Sequence, residues 1–146
     1  MESRTIDNKR SEYGDDFFRK FSKDYLPSYD FFRLLFAKLA LNGITLVNYS
    51  YLKDFLRKSK EDVKYGALLE DVRFYYNGLN YISKDIESNI NTLQTLGAVG
   101  RSNPKYEMLL NYFSSESSNK LLMEFSEYGE ILDSFVGAFI RSTQGG

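Results

Sequence analysis

The stretch Ser28–Gly43, SYDFFRLLFAKLALNG, constrains the fold more than any other part of the chain, because it carries a start signal, a stop signal and almost no polar face between them. Ser28 can cap a helix begun at Tyr29, and Gly43 can end it in the left-handed conformation that glycine adopts cheaply. Between them Phe31, Phe32, Leu34, Leu35, Phe36, Leu39, Ala40 and Leu41 leave Arg33, Lys38 and Asn42 as the clearly polar positions beyond the first turn. A helix that is apolar on most sides belongs inside a bundle, not on its surface. At about 14 residues it is also too short to span a bilayer, which takes roughly 20.

A chain of 146 residues fits one domain and can bury roughly two-thirds of its unfolded surface. There are no cysteines and no histidines. That removes thiol nucleophiles, Ser-His-Asp and Cys-His constellations, zinc-finger ligand sets and histidine proton transfer together. The adjacent carboxylates Glu61/Asp62 and Glu70/Asp71 invite an acid–base or metal reading, but neighbours on a helix point about 100° apart, so neither pair is a preformed chelate. The expectation is a non-enzymatic chain with no catalytic residue, no metal and no cofactor.

Net charge is −1 and the isoelectric point is near 5.6, so the whole-molecule field gives no reason to expect polyanion binding. Its distribution is uneven. Tyr25–Lys60 holds six Lys/Arg against Asp30 and Asp54, Glu61–Gly146 holds seven against twelve acids, and residues 1–24 balance at six each. No apolar signal-peptide core, long membrane span or cysteine framework is present, which favours a cytoplasmic protein that does not engage a membrane.

Taken in order, residues 1–14 read as a flexible N-terminal arm. Asp15 and Asp16 suit a helix start, followed by Phe17, Phe18, Phe21 and Tyr25 at helical spacing. After the central helix, Ile44–Val47 reads as a short extended connection, and Asn48 or Ser50 offers a cap for Tyr51–Lys58. Lys53, Arg57 and Lys60 fall at i, i+4 and i+7 on that helix, joined at the edge by Lys58; this basic face suits solvent, phosphate or an acidic partner surface. Ser59 and Asp62 have capping-box spacing for a further helix carried by Leu68, Leu69, Val72, Tyr75 and Tyr76 to the Asn77-Gly78 turn signal. Ser83 caps Lys84–Leu96, which Gly97 closes.

The polar face of that helix presents Asn89, Asn91, Thr92, Gln94 and Thr95, residues able to hydrogen-bond base edges or water. With Gly97 and the following Ala98–Tyr106, the segment from Ser83 resembles the recognition helix and wing of a winged-helix domain, over about 25 residues. The resemblance implies nucleic-acid binding. A competing local reading places Asn103 as N-cap and Pro104 at N1 of a helix carrying Tyr106, Leu109, Leu110 and Phe113.

The last element is expected to run as one helix from about Asn119 to Arg141. Leu121, Phe125, Tyr128, Leu132, Phe135 and Phe139 repeat with the alternating spacing of a helix seam, one that suits docking within the chain, a homodimer or a foreign helix. Ser142–Gly146 reads as a flexible tail.

The expected fold is therefore all-α: a compact bundle of about six or seven helices, with at most one short winged-helix-like hairpin near 98–106, in a single domain spanning 15–141. The expected function is that of a helical protein-interaction module, an adaptor, inhibitor or small phage or bacterial accessory factor, with a protein partner or a second copy of itself. The alternative is a winged-helix-like regulator that binds nucleic acid.

Overall fold

The computed structural model describes residues 26–102, 107–110 and 114–145. The arm 1–14, the helix expected over 15–25 and the residues proposed to cap a helix at 103 and 104 lie outside the described residues. In chain order come α1 (Ser28–Leu41), β1 (Leu46–Asn48), α2 (Tyr49–Lys60), β2 (Tyr75–Tyr76), β3 (Tyr81–Ile82) and α3 (Lys84–Thr95). β4 (Val99–Ser102), β5 (Glu107–Leu110), α4 (Ser115–Glu124), a 3₁₀ turn (Ser126–Tyr128) and α5 (Gly129–Gly145) follow.

The architecture is mixed, and the all-α expectation is overturned: the described residues hold five α-helices and two small antiparallel sheets. One sheet has the order β1-β5-β4, and the other is the β2–β3 hairpin. Three local preferences explain the difference. Of the connection expected over Ile44–Val47, Leu46 and Val47 become strand, and β1 pairs with β5 in the register Leu46↔Leu109, Val47↔Met108. Where a helix was the favoured reading, Glu107–Leu110 forms a strand instead, its Met108 and Leu110 buried and Leu109 exposed, the period of a half-buried strand. Finally, Ser59 is an interior residue of α2 and caps nothing; residues 61–71 turn irregularly, and Tyr75–Ile82 folds back as a hairpin around Gly78 at φ +98°. The Asn77 carboxamide oxygen accepts from the Leu79 and Asn80 amides at 2.9 Å each and fixes that turn.

α1 is the centre of the domain. None of its residues is exposed, and Phe31, Phe32, Leu34, Leu35, Phe36, Ala37 and Leu39 are completely buried. α3, α4 and α5 all pack against it. Its end follows the sequence signal: Gly43, at φ +81°, donates to the Ala40 carbonyl at 3.0 Å while Ile44 donates to Leu39 at 2.9 Å, the paired bonds of a glycine-terminated helix. Its start does not. Pro27 occupies the cap position, and Ser28 is the first helical residue. The orphan Ser28 amide is satisfied from far along the chain by the Asp71 carboxylate at 2.7 Å, and the Ser28 hydroxyl accepts from Asn89 at 2.8 Å.

The caps expected at Asn48 and Ser83 are both present, accepting from the Tyr51 and Ile86 amides. Ser83 is nearly fully buried. Ser83→Ala is therefore expected to lower stability by about 1 kcal/mol, read as an earlier urea midpoint at unchanged slope; an unshifted midpoint would show that the cap contributes nothing.

The expected continuous last helix is two helices. Phe125, at φ −117° and ψ 38°, ends α4, a 3₁₀ turn intervenes, and Gly129 begins α5, which runs on through Gly145. Ser114 caps α4 by accepting from the Ser117 amide. The ion pair between Lys38 and Asp133 ties α1 to α5.

Candidate functional site

Amphipathicity separates α3 into two faces. Ile86, Ile90 and Leu93 enter the core, and Asn89 goes with them, donating to Ser28 and to the Asp85 carbonyl. Asn89 is thus a structural residue rather than a reader of bases. The outward face carries Lys84, Ser88, Asn91, Thr92 and Thr95 at i, i+4, i+7, i+8 and i+11, and these residues with Glu87 and Leu96 line an open groove of about 520 Å³. The Thr92 and Thr95 hydroxyls donate back to the Ser88 and Asn91 carbonyls at 3.0 and 2.9 Å. Each has one proton, so what they turn outward is acceptor capacity. Lys84 adds donors at the N-terminal end.

Behind α3, Gly97 at φ +85° turns the chain through the same paired bonds that close α1. β4 and β5 then run antiparallel with Val99 opposite Leu110 and Ser102 opposite Glu107. Helix α3, the glycine turn and the antiparallel pair β4–β5 thus follow one another along the chain, and β1 adds a third strand beside β5. Residues 103–106, between the two strands, lie outside the described residues.

The basic set on α2 is split by the fold. Lys60 faces inward: its ammonium donates to the Leu69 carbonyl at 3.0 Å, to Glu70 at 3.4 Å and to Val72. Burial pushes the Lys60 amine below the ordinary lysine range, opposed mainly by the Asp85 carboxylate. Arg57 lies over the Tyr81 ring at 4.4 Å and reaches Glu61 at 3.7 Å. Lys58 is exposed. Lys53 lines a small recess with Tyr49, Ile82, Ser83, Lys84 and Glu87, which brings it beside the start of α3. The carboxylates there are engaged: Glu87 accepts from the Tyr49 hydroxyl, and Asp85 accepts from the Arg73 amide at 2.9 Å and its guanidinium at 3.3 Å. That contact raises the Arg73 pKa further.

The aromatic seam turns toward its own domain. Leu132, Phe135 and Phe139 are buried, and Leu121, Phe125 and Tyr128 are half-buried against the same core. No neighbouring backbone closes on Gly129 or Gly137; a methyl at Gly137 would meet the Arg141 side chain alone. Toward the C-terminal end of α5, Phe139, Ile140 and Thr143 line a groove of about 410 Å³ together with Ile44, Leu46, Val47 and Tyr51.

Among the described residues no cluster of three carboxylates could hold a metal ion, and no helix is long and apolar enough to cross a membrane. Asp71 and Asp62, members of the adjacent carboxylate pairs, accept backbone amides of Ser28 and Lys64. No protein-family model, curated protein or solved structure matches the chain.

The sequence signal missed here was the hairpin. Tyr75-Tyr76 and Tyr81-Ile82 flank Asn77-Gly78-Leu79-Asn80, and Asn-Gly between residues of high strand preference is a hairpin signal.

Proposed function

We propose that this protein is a nucleic-acid-binding regulator that meets a duplex with the outward face of α3. What supports the reading is connectivity: a helix with a neutral, hydrogen-bonding outer face leads through a glycine turn into an antiparallel pair within the sheet β1-β5-β4. Lys84, Ser88, Asn91, Thr92 and Thr95 are spaced to follow one groove. Base edges are read by such groups, and phosphates by cations at the rim. Lys53 and Lys84 are the rim cations beside the helix start.

Fluorescence anisotropy with labelled duplexes of mixed sequence tests this. Affinity should fall with salt, and Lys84→Ala should weaken all sequences alike and reduce the salt slope by about 1. Asn91→Ala should instead cost about 1–3 kcal/mol on preferred sequences and little on others. Absence of binding at low salt, together with purified protein free of nucleic acid by absorbance, would remove the reading.

A second reading, the partner-protein module, is supported by the groove between β1 and α5, which Leu46 lines, and by the exposed Leu109, the cross-strand partner of Leu46. Under it the protein self-associates or captures a partner without any salt-dependent affinity for DNA. Light scattering coupled to size exclusion separates the self-associating form from the monomer.

A further inference from the structure

The hairpin Tyr75–Ile82 is a surface that the fold does not need. Tyr75 is 53 %, Tyr76 61 % and Leu79 86 % exposed, with Tyr81 and Ile82 also open to solvent. None of the five belongs to the hydrophobic core or packs against it. Scattered exposed apolar residues need no explanation, but five on one short element do: strand alternation puts Tyr76 with its cross-strand partner Tyr81 on one face and Tyr75 with Ile82 on the other. A two-stranded hairpin is marginal by itself, and this one is held by Tyr76 against Tyr81, ring centroids 5.1 Å apart, and by the Arg57 guanidinium over Tyr81.

The surroundings specify what it would meet. The hairpin contains no charged residue. Its border carries a cationic excess: Arg57 lies on Tyr81 and reaches Glu61, and Lys53 and Lys84 share the recess beside Ile82 with the single carboxylate Glu87. Of the carboxylates close by, Asp85 and Glu61 are ion-paired with Arg73 and Arg57, and Glu87 accepts from the Tyr49 hydroxyl. Aromatic faces edged with cations fit a polymer that offers π-faces and negative charge together. The Tyr76 hydroxyl donates to the Gly78 carbonyl at 3.1 Å. Its one proton is therefore spent within the hairpin, and the ring is what it presents. In an intact duplex the base faces are covered by their neighbours; an unpaired base leaves one open.

We propose that the Tyr75–Ile82 hairpin is a stacking platform for unpaired nucleotides next to the duplex met by α3. The inference rests on the nucleic-acid reading and extends it to the class of substrate, a duplex that contains or adjoins single-stranded DNA.

The test compares a short labelled duplex with the same duplex carrying an unpaired stretch, by anisotropy at one low salt concentration. Parent protein is set beside the double variant Tyr75→Leu/Tyr76→Leu, which keeps apolar bulk and removes the aromatic faces. Circular dichroism and melting confirm that the variant is folded, and the single variant Tyr76→Leu serves if the double one is not. The parent should prefer the opened duplex by about five- to a hundredfold, the range of one stacked base. The variant should lose that preference and keep the parent's affinity for the closed duplex. A parent without preference, or a variant that retains it, overturns the platform and leaves the α3 reading intact. A parent that binds neither DNA overturns both. Labelled polyglutamate that binds the parent, is lost in the variant and displaces no DNA would assign the hairpin to an acidic protein and overturn the proposal.

Discussion

Phe135→Glu is expected to yield an unfolded or aggregated chain, not a folded monomer. Phe135 is 0 % exposed. Its ring meets Phe31 at 5.8 Å, Phe55 at 5.4 Å and Tyr65 at 5.1 Å, each nearly edge-on. Three elements, α1, α2 and the 61–71 turn, thus converge with α5 on one side chain. A carboxylate there would be set among the rings of Phe31, Phe55 and Tyr65, and burying an unpaired charge is among the costliest substitutions a core can receive. The milder Phe135→Ala should leave a folded protein weakened by about 3–5 kcal/mol, from lost transfer energy plus the cavity that remains. Guanidinium denaturation followed by circular dichroism gives the second value, and light scattering gives the state of the first. A soluble, helical Phe135→Glu monomer of native melting temperature would show that the seam closes on another chain and that the packing around Phe31 is dispensable.

That seam illustrates how much of the fold was legible. The spacing of Leu121, Phe125, Tyr128, Leu132, Phe135 and Phe139 marks which residues are apolar-facing, and all six do face the core. It does not reveal the break at Phe125, because a turn that keeps the same side inward preserves the pattern. α1 was legible almost to the residue, since a mostly apolar run between a proline and a glycine admits few alternatives. The strands were not. β2 and β3 have two residues each and β1 three, too few to show a period, and in Tyr106–Phe113 the apolar residues satisfy helical spacing while alternation is visible only after pairing with β1 and β4 is known. Sheet pairing is a long-range fact, and local spacing does not carry it.

The exposed face of α3 was legible for a different reason. Its polar residues have no packing role, so their position follows directly from the helical repeat once Ser83 and Gly97 fix the ends. Asn89 is the exception, since its partners, Ser28 and the Asp85 carbonyl, lie on the buried side. A polar residue one turn from Ile86 on one side and Leu93 on the other is read as outward by composition and inward by geometry. The hairpin beside it was hidden because Leu68, Leu69, Val72, Tyr75 and Tyr76 also fit a helix.

Charge reversal on α2 should divide the basic set sharply. Lys53→Glu and Lys58→Glu are expected to change stability by no more than about 0.5 kcal/mol, as surface substitutions away from special contacts do. Lys60 is different, although its spacing from Lys53 places both on one helix face by count. It also falls four residues after Leu56 and eight after Leu52, the stripe that faces inward, and its stem follows them. Its ammonium holds the carbonyls of Leu69, Glu70 and Val72, which closes the irregular segment 61–72 onto the end of α2. That closure positions Asp71, whose carboxylate caps α1 at the Ser28 amide. Removing the donor in Lys60→Met leaves the carbonyls without it and should cost on the order of 1–3 kcal/mol. Lys60→Glu adds repulsion between a carboxylate and three carbonyl oxygens, and should cost more still. Thermal melts of the single variants measure the contrast, and hydrogen exchange locates it, with amides of 61–72 and the first turn of α1 losing protection together. Equal melting temperatures for Lys60→Glu and Lys53→Glu would show that the clasp contributes nothing to holding this segment.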